Sequence, residues 1–115
     1  MSSPSTINFP EVFQKLPAFK CRFDAFQMAG ENCKILFATY PPNTNIAPHT
    51  HDTFNWGLIS RGAMHLTVEG VEKTYKVGEW FNVPLEAKHS ARCDEATEVI
   101  EFWFSPDAQA DVKSA

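Results

Sequence analysis

Short stretches of period-two patterning, separated by turn residues, run through most of this chain. Met64, Leu66 and Val68 alternate with Ala63, His65 and Thr67, and Ile100, Phe102 and Phe104 alternate with Val99, Glu101 and Trp103. Successive side chains of a strand point to opposite faces, so this alternation marks strands whose two faces differ. Strand-like runs fall at Arg22–Met28, Lys34–Tyr40, Thr44–His51, Phe54–Ser60, Ala63–Glu69, Val71–Val77, Trp80–Val83, His89–Cys93 and Thr97–Phe104. Between them lie Ala29-Gly30-Glu31-Asn32, Pro41-Pro42-Asn43, Arg61-Gly62 and Gly70, residues that break ladders or favour turns. Pro10 and Pro17 bracket a segment suited to one short helical turn. No longer stretch has a helical period, and short strands at regular spacing predict an all-β sandwich or barrel.

The same alternation sorts residues into interior and exterior. If Asn55 faces inward, so do Gly57 and Ile59, while Trp56 and Leu58 face out. Gly57 then either leaves open space in the interior or serves strand curvature. Met64, Leu66 and Val68 form a core face, which puts His65 on the exposed side. Glu101 is either a solvent-facing charge or an interior acid, and in the second case it is a candidate general base. Trp56, Leu58, Trp80, Phe102 and Trp103 exceed what one small barrel interior needs, and surplus apolar surface of this kind serves as an interface. Alternatively, the N-terminal segment with Phe9, Phe13, Leu16 and Phe19 covers it within one chain.

Composition narrows the function classes. At 115 residues with 10 phenylalanines and 3 tryptophans, the chain supports one aromatic-rich core. The net charge of −4, with Lys and Arg scattered, argues against nucleic acid or an anionic membrane as partner. No apolar run is long enough to span a bilayer, and residues 1–8 read as a flexible leader without secretory character. A cytoplasmic location is therefore expected. The 3 cysteines, Cys21, Cys33 and Cys93, show no CxxC spacing and read as reduced thiols. Cys21 and Cys33 would lie at opposite ends of one hairpin. Cys93 is either core or, at an even spacing from His89, a neighbour of the site.

Candidate chemistry gathers at the histidines. His49 and His51 share one strand face with Thr50 opposite, so both imidazoles can reach one cation at about 2.1 Å. Alone, such a pair is more readily an incidental surface feature. A third ligand must come from another strand, and His89, following Pro84, is the candidate.

The surrounding residues sharpen this. The first half reads His49-Thr50-His51, three residues, Asn55, six residues, Gly62; the second reads Gly78, five residues, Pro84-Leu85-Glu86, two residues, His89, three residues, Cys93. These resemble the two motifs of the cupin family over roughly residues 35–104. Asn55 stands where the first motif has glutamate, Glu86 where the second has glycine, and Cys93 where it has asparagine. The resemblance implies a double-stranded β-helix (jelly-roll) barrel over 21–105, with an N-terminal extension at 1–20 and a frayed tail at 106–115. It further implies one divalent transition metal (iron, zinc, manganese or nickel) on His49, His51 and His89, with Asn55 as fourth ligand or substrate contact, and a homodimer paired through an outer sheet. Glu86 should impose only local backbone strain in an exposed turn. Neutral ligands leave the ion's charge uncompensated, which favours an anionic co-ligand.

Fold alone does not settle function. The favoured reading is a metalloenzyme acting on a small anionic or oxygen-rich molecule: dioxygenation with iron, or isomerisation, hydrolysis or elimination with zinc or manganese. The alternative is a small-ligand binding or sensing cupin without turnover; a metal-free structural barrel is the third.

Overall fold

The computed structural model describes residues 7–19 and 24–106. Nine strands follow one short helix: α1 (Glu11–Gln14), β1 (Asp24–Ala29), β2 (Cys33–Tyr40), β3 (Thr44–His49), β4 (Phe54–Arg61), β5 (Ala63–Val68), β6 (Val71–Lys76), β7 (Trp80–Val83), β8 (His89–Cys93) and β9 (Thr97–Phe104). Each predicted run yields a strand, and α1 sits between the two prolines as expected. Two antiparallel sheets result, ordered β1-β2-β9-β4-β7 and β3-β8-β5-β6, the arrangement of a jelly-roll. Arg22, Cys21 and residues 107–115 lie outside the described residues, so the start of the first predicted strand, the Cys21 reading and most of the predicted tail are not seen.

The period-two pattern is realised as two-faced sheets. Leu36, Ala38, Ile59, Met64, Leu66, Val83 and Val99 pack between the sheets and form the core. Across the outside of the five-stranded sheet the register aligns Trp56, Phe102, Ile35 and Met28 in one row, and Trp80, Leu58, Ile100, Phe37 and Phe26 in the next. The N-terminal segment covers part of this face. Phe9 meets the Phe37 ring edge-on at 5.6 Å, and Phe13 lies 4.6 Å from it. Trp56 and Trp80 stay exposed, so the segment accounts for only some of the surplus apolar surface.

Described residues near both limits of the barrel are tied to it. The Asn8 backbone N–H donates to the Glu98 carboxylate at 2.7 Å. Ser105, the last residue of the predicted barrel, donates from its backbone N–H to Asn32 O at 3.0 Å.

Gly62 shows why the β4–β5 turn needs its residue. Its φ is +77°, and a Cβ there would lie 2.4 Å from Ala96 O and 2.7 Å from Thr97 Oγ1. The single proton of that hydroxyl has the carbonyls of Ala63 and Glu95 as acceptors at 3.0 and 2.9 Å, which hold the hydroxyl in place. Gly62→Ala should lower the unfolding free energy by about 3 kcal/mol, combining left-handed strain with overpacking. Chemical denaturation measures this; a loss under about 0.5 kcal/mol would show that the turn relaxes freely.

Candidate metal centre

Antiparallel pairing brings the histidines together. His49 on β3 stands directly opposite His89 on β8, with ring centroids 4.2 Å apart. Between Ile46 and His49 the register shifts: Ile46 pairs with Ala91 and His49 with His89, so β3 has one residue more than its partner. Pro48 lies in this bulge and has no N–H to give to the ladder. The strand ends at His49, one turn of the pattern earlier than the predicted His51. His51 therefore enters the cluster from the β3–β4 connection, not from the strand face.

The three imidazoles form one cluster of donors. The ligand atoms of His49, His51 and His89 all lie within 4.8 Å of one another. His49 Nδ1 contacts Ala47 O at 2.7 Å and His89 Nδ1 contacts Ala87 O at 2.9 Å. A carbonyl only accepts, so both Nδ1 atoms carry the proton and both Nε2 atoms keep a lone pair, as in histidines whose far nitrogen is anchored while the near one ligates. His49 Nε2 and His51 Nε2 are 3.1 Å apart. Two nitrogens bound at about 2.1 Å and at right angles would stand about 3.0 Å apart. Burial lowers the pKa of His89, which favours the neutral, ligating form.

The cluster opens into a cavity of about 390 Å³ between the sheets, lined by Asn55, Glu101, Tyr40 and Trp103 and by apolar groups including Ile46, Met64, Leu66, Phe81 and Val83. Glu101 is an interior acid, 7% exposed, accepting hydrogen bonds from the Tyr40 hydroxyl and, at 3.0 Å, from Trp103 Nε1–H. Burial pushes its pKa up, and the two donors pull against that shift. Trp103 also stands 4.7 Å from the His51 ring, so one indole contacts both the cluster and the acid's clamp. Asn55 is buried on β4, beside Trp103 on one strand and Val83 on the other.

Several expectations change. Gly57 does face inward, yet it leaves no open space: a Cβ there would fall 2.1 Å from Phe81 Cζ, so the glycine makes room for that ring. Cys93 packs in the core and does not line the cavity; burial pushes its thiol up to about 11. His65 stays out of the cluster but is only partly exposed, its ring nitrogens contacting Thr74 Oγ1 at 2.8 Å and Asp94 Oδ2 at 3.1 Å. Glu86 is exposed with φ +58°, the local strain expected for a residue in a glycine position. Tyr40 and the Trp103 clamp were not foreseen. Their signal lies in the β2–β9 register, which pairs Tyr40 with Thr97 on Glu101's face and is invisible before strands are paired.

The family model for the cupin domain matches residues 36–104, which include all three histidines. The chain belongs to the cupin family. Among solved structures, an RmlC-like cupin from Shewanella frigidimarina superposes with a TM-score of 0.73 at 18% identity, covering 90% of this chain and 94% of that one. KdgF from Halomonas sp. gives 0.64 at 19% identity, covering 76% and 83%. A curated relative, H2HPP isomerase from Bacillus subtilis, is 32% identical over 68 residues, 58% of this cupin and 29% of that protein. The cupin thus spans under a third of that relative's length.

Proposed function

We propose that this cupin is a metal-dependent enzyme that moves protons on a small oxygen-rich molecule, an isomerase-type reaction. One observation carries the reading: Glu101, the one carboxyl among the described residues lining the cavity, shares that cavity with the three-histidine cluster. The isomerase-named relative supports the same class. A divalent ion held by His49, His51 and His89 would supply the positive charge that acidifies a C–H beside a carbonyl. Glu101 takes that proton: the C–H bond breaks, its electron pair becomes the C=C of an enolate, and an O–H forms on the carboxylate. Where a C=C adjoins that carbon the enolate is a dienolate, and return of the proton from Glu101 to its far carbon shifts the double bond and completes the isomerisation. Tyr40 and Trp103 hold the carboxylate in place.

The test begins with metal analysis of protein purified without an affinity tag or chelator. The loaded protein is then incubated with a panel of 2-oxo acids in D2O and followed by NMR. Stoichiometric iron, zinc, manganese or nickel with deuterium uptake beside the carbonyl is expected. Metal and ligand binding without any exchange would leave a binding or sensing cupin.

A second copy of the chain is the occupant we assign to the uncovered half of the five-stranded sheet. The Trp56, Leu58, Trp80 and Phe102 patch continues the apolar rows that Phe9 and Phe13 cover elsewhere, and a two-fold contact would let it pair with itself. Trp56→Glu should convert a species of twice the chain mass into monomer in sedimentation equilibrium; a native monomer at high micromolar concentration would refute the pairing. The free thiols of Cys33 and Cys93 accord with a reducing, cytoplasmic setting.

A further inference from the structure

Asn55 stands where the family motif has a glutamate, and its own hydrogen bonding decides what it offers. A primary amide has an acceptor oxygen and a donor NH2. The Thr53 hydroxyl donates to Asn55 Oδ1 at 2.8 Å, taking one of that oxygen's two lone pairs and fixing the orientation of the amide. The amide's Nδ2 amino group is the donor it offers, on a side chain 5% exposed that lines the same cavity as the histidines. An amino group ligates no cation, but it is a good donor to an anionic oxygen.

The rest of the cavity defines the body that would carry that oxygen. No Lys or Arg is among the described residues lining it, so an anion's partners there are the Asn55 amino group and an ion held by the histidines. Ile46, Met64, Leu66, Phe81 and Val83 make much of the remaining lining apolar.

We propose that Asn55, with its oxygen held by Thr53, is a hydrogen-bond donor to the ligand and not a metal ligand, and that the cavity takes a carboxylate carrying a ring-sized apolar body. This rests on the metal-site reading above. It restricts coordination by the protein to the three histidines and makes Asn55 a specificity-determining residue. Thr53 is its positioning partner.

Cobalt(II)-loaded protein, titrated with sodium benzoate, acetate and benzyl alcohol and read by its visible spectrum, tests this without any activity assay. Benzoate should perturb the spectrum at concentrations at least about tenfold below acetate, because its ring buries apolar area. Benzyl alcohol, which has the ring but no charge, should bind more weakly than benzoate. Asn55→Ala should hold cobalt within about threefold of the native affinity while weakening benzoate about tenfold or more. Asn55→Asp, which keeps the shape and reverses donor to acceptor, should weaken benzoate about 100-fold with cobalt affinity equal or higher. Thr53→Val frees the amide and should weaken benzoate severalfold, which preserves a test if the buried Asn55 variants misfold. Loss of cobalt in Asn55→Ala comparable to that in a histidine variant overturns the donor role and makes Asn55 a ligand. Equal benzoate affinity in native and variant proteins, or no preference over acetate, overturns the ligand class. A native chain that takes up no cobalt removes the metal site itself, a failure separate from the other two.

Discussion

Native chain purified without tag or chelator should carry near one equivalent of metal, and in the His49→Ala/His89→Ala double variant that metal should fall to background. These two residues face each other across β3 and β8, and both carry their proton on Nδ1, so both lone pairs point to the same place. Removing two of three ligands should cost far more than the roughly 10- to 100-fold that losing one outer partner costs. Thermal melts give the independent readout. Metal at 100 times its dissociation constant stabilises the native chain by about 2.7 kcal/mol, or roughly 10 °C for a domain of this size. The double variant should show no such rise. Its metal-free melting point should stay near that of the metal-free native chain, because the clustered imidazoles gain little from one another without an ion. Retention of a full equivalent of metal by the double variant would place the ion elsewhere.

How far the sequence reaches is clearest at this cluster. The HxH spacing and the distance to His89 specify which residues meet, because strand alternation and turn residues set the strands on which they lie. They do not specify how His51 arrives. Pro48 interrupts the ladder and forces a bulge, so β3 ends at His49 and a loop delivers the second imidazole. Gly57 marks the same limit. Its inward face follows from alternation, but what occupies the gap depends on β7 pairing with β4, which sets Phe81 directly opposite. Period-two patterning reports one strand at a time, and contacts made between strands far apart in the chain become legible only once the register is known. Glu101 spans both cases: alternation offers it to the interior or to solvent, and the neighbours on β2 and β4, Leu36 and Gly57, show that it is inside.

Glu101→Gln should slow proton exchange by about 10²- to 10⁴-fold, the usual cost of removing a positioned acid or base, with metal content and carboxylate binding unchanged. Glutamine fits the site: its oxygen can accept from Trp103 Nε1–H, and its amino group can donate to the Tyr40 oxygen. The loss should therefore reflect chemistry and not collapse of the pocket. The pH dependence separates the two further. Burial raises the pKa of Glu101, so its base form accumulates only above the ordinary carboxylate range, and the native rate should climb with pH through that raised value. Glu101→Gln should lack this limb. Tyr40→Phe removes a hydrogen bond that favours the charged form, so its limb should move to still higher pH, whereas a purely structural Tyr40 would lower the rate without moving it. A Glu101→Gln variant with the native rate and an intact limb would assign the acid–base role to another group, and the two donors on the carboxylate would then serve only to satisfy a buried charge.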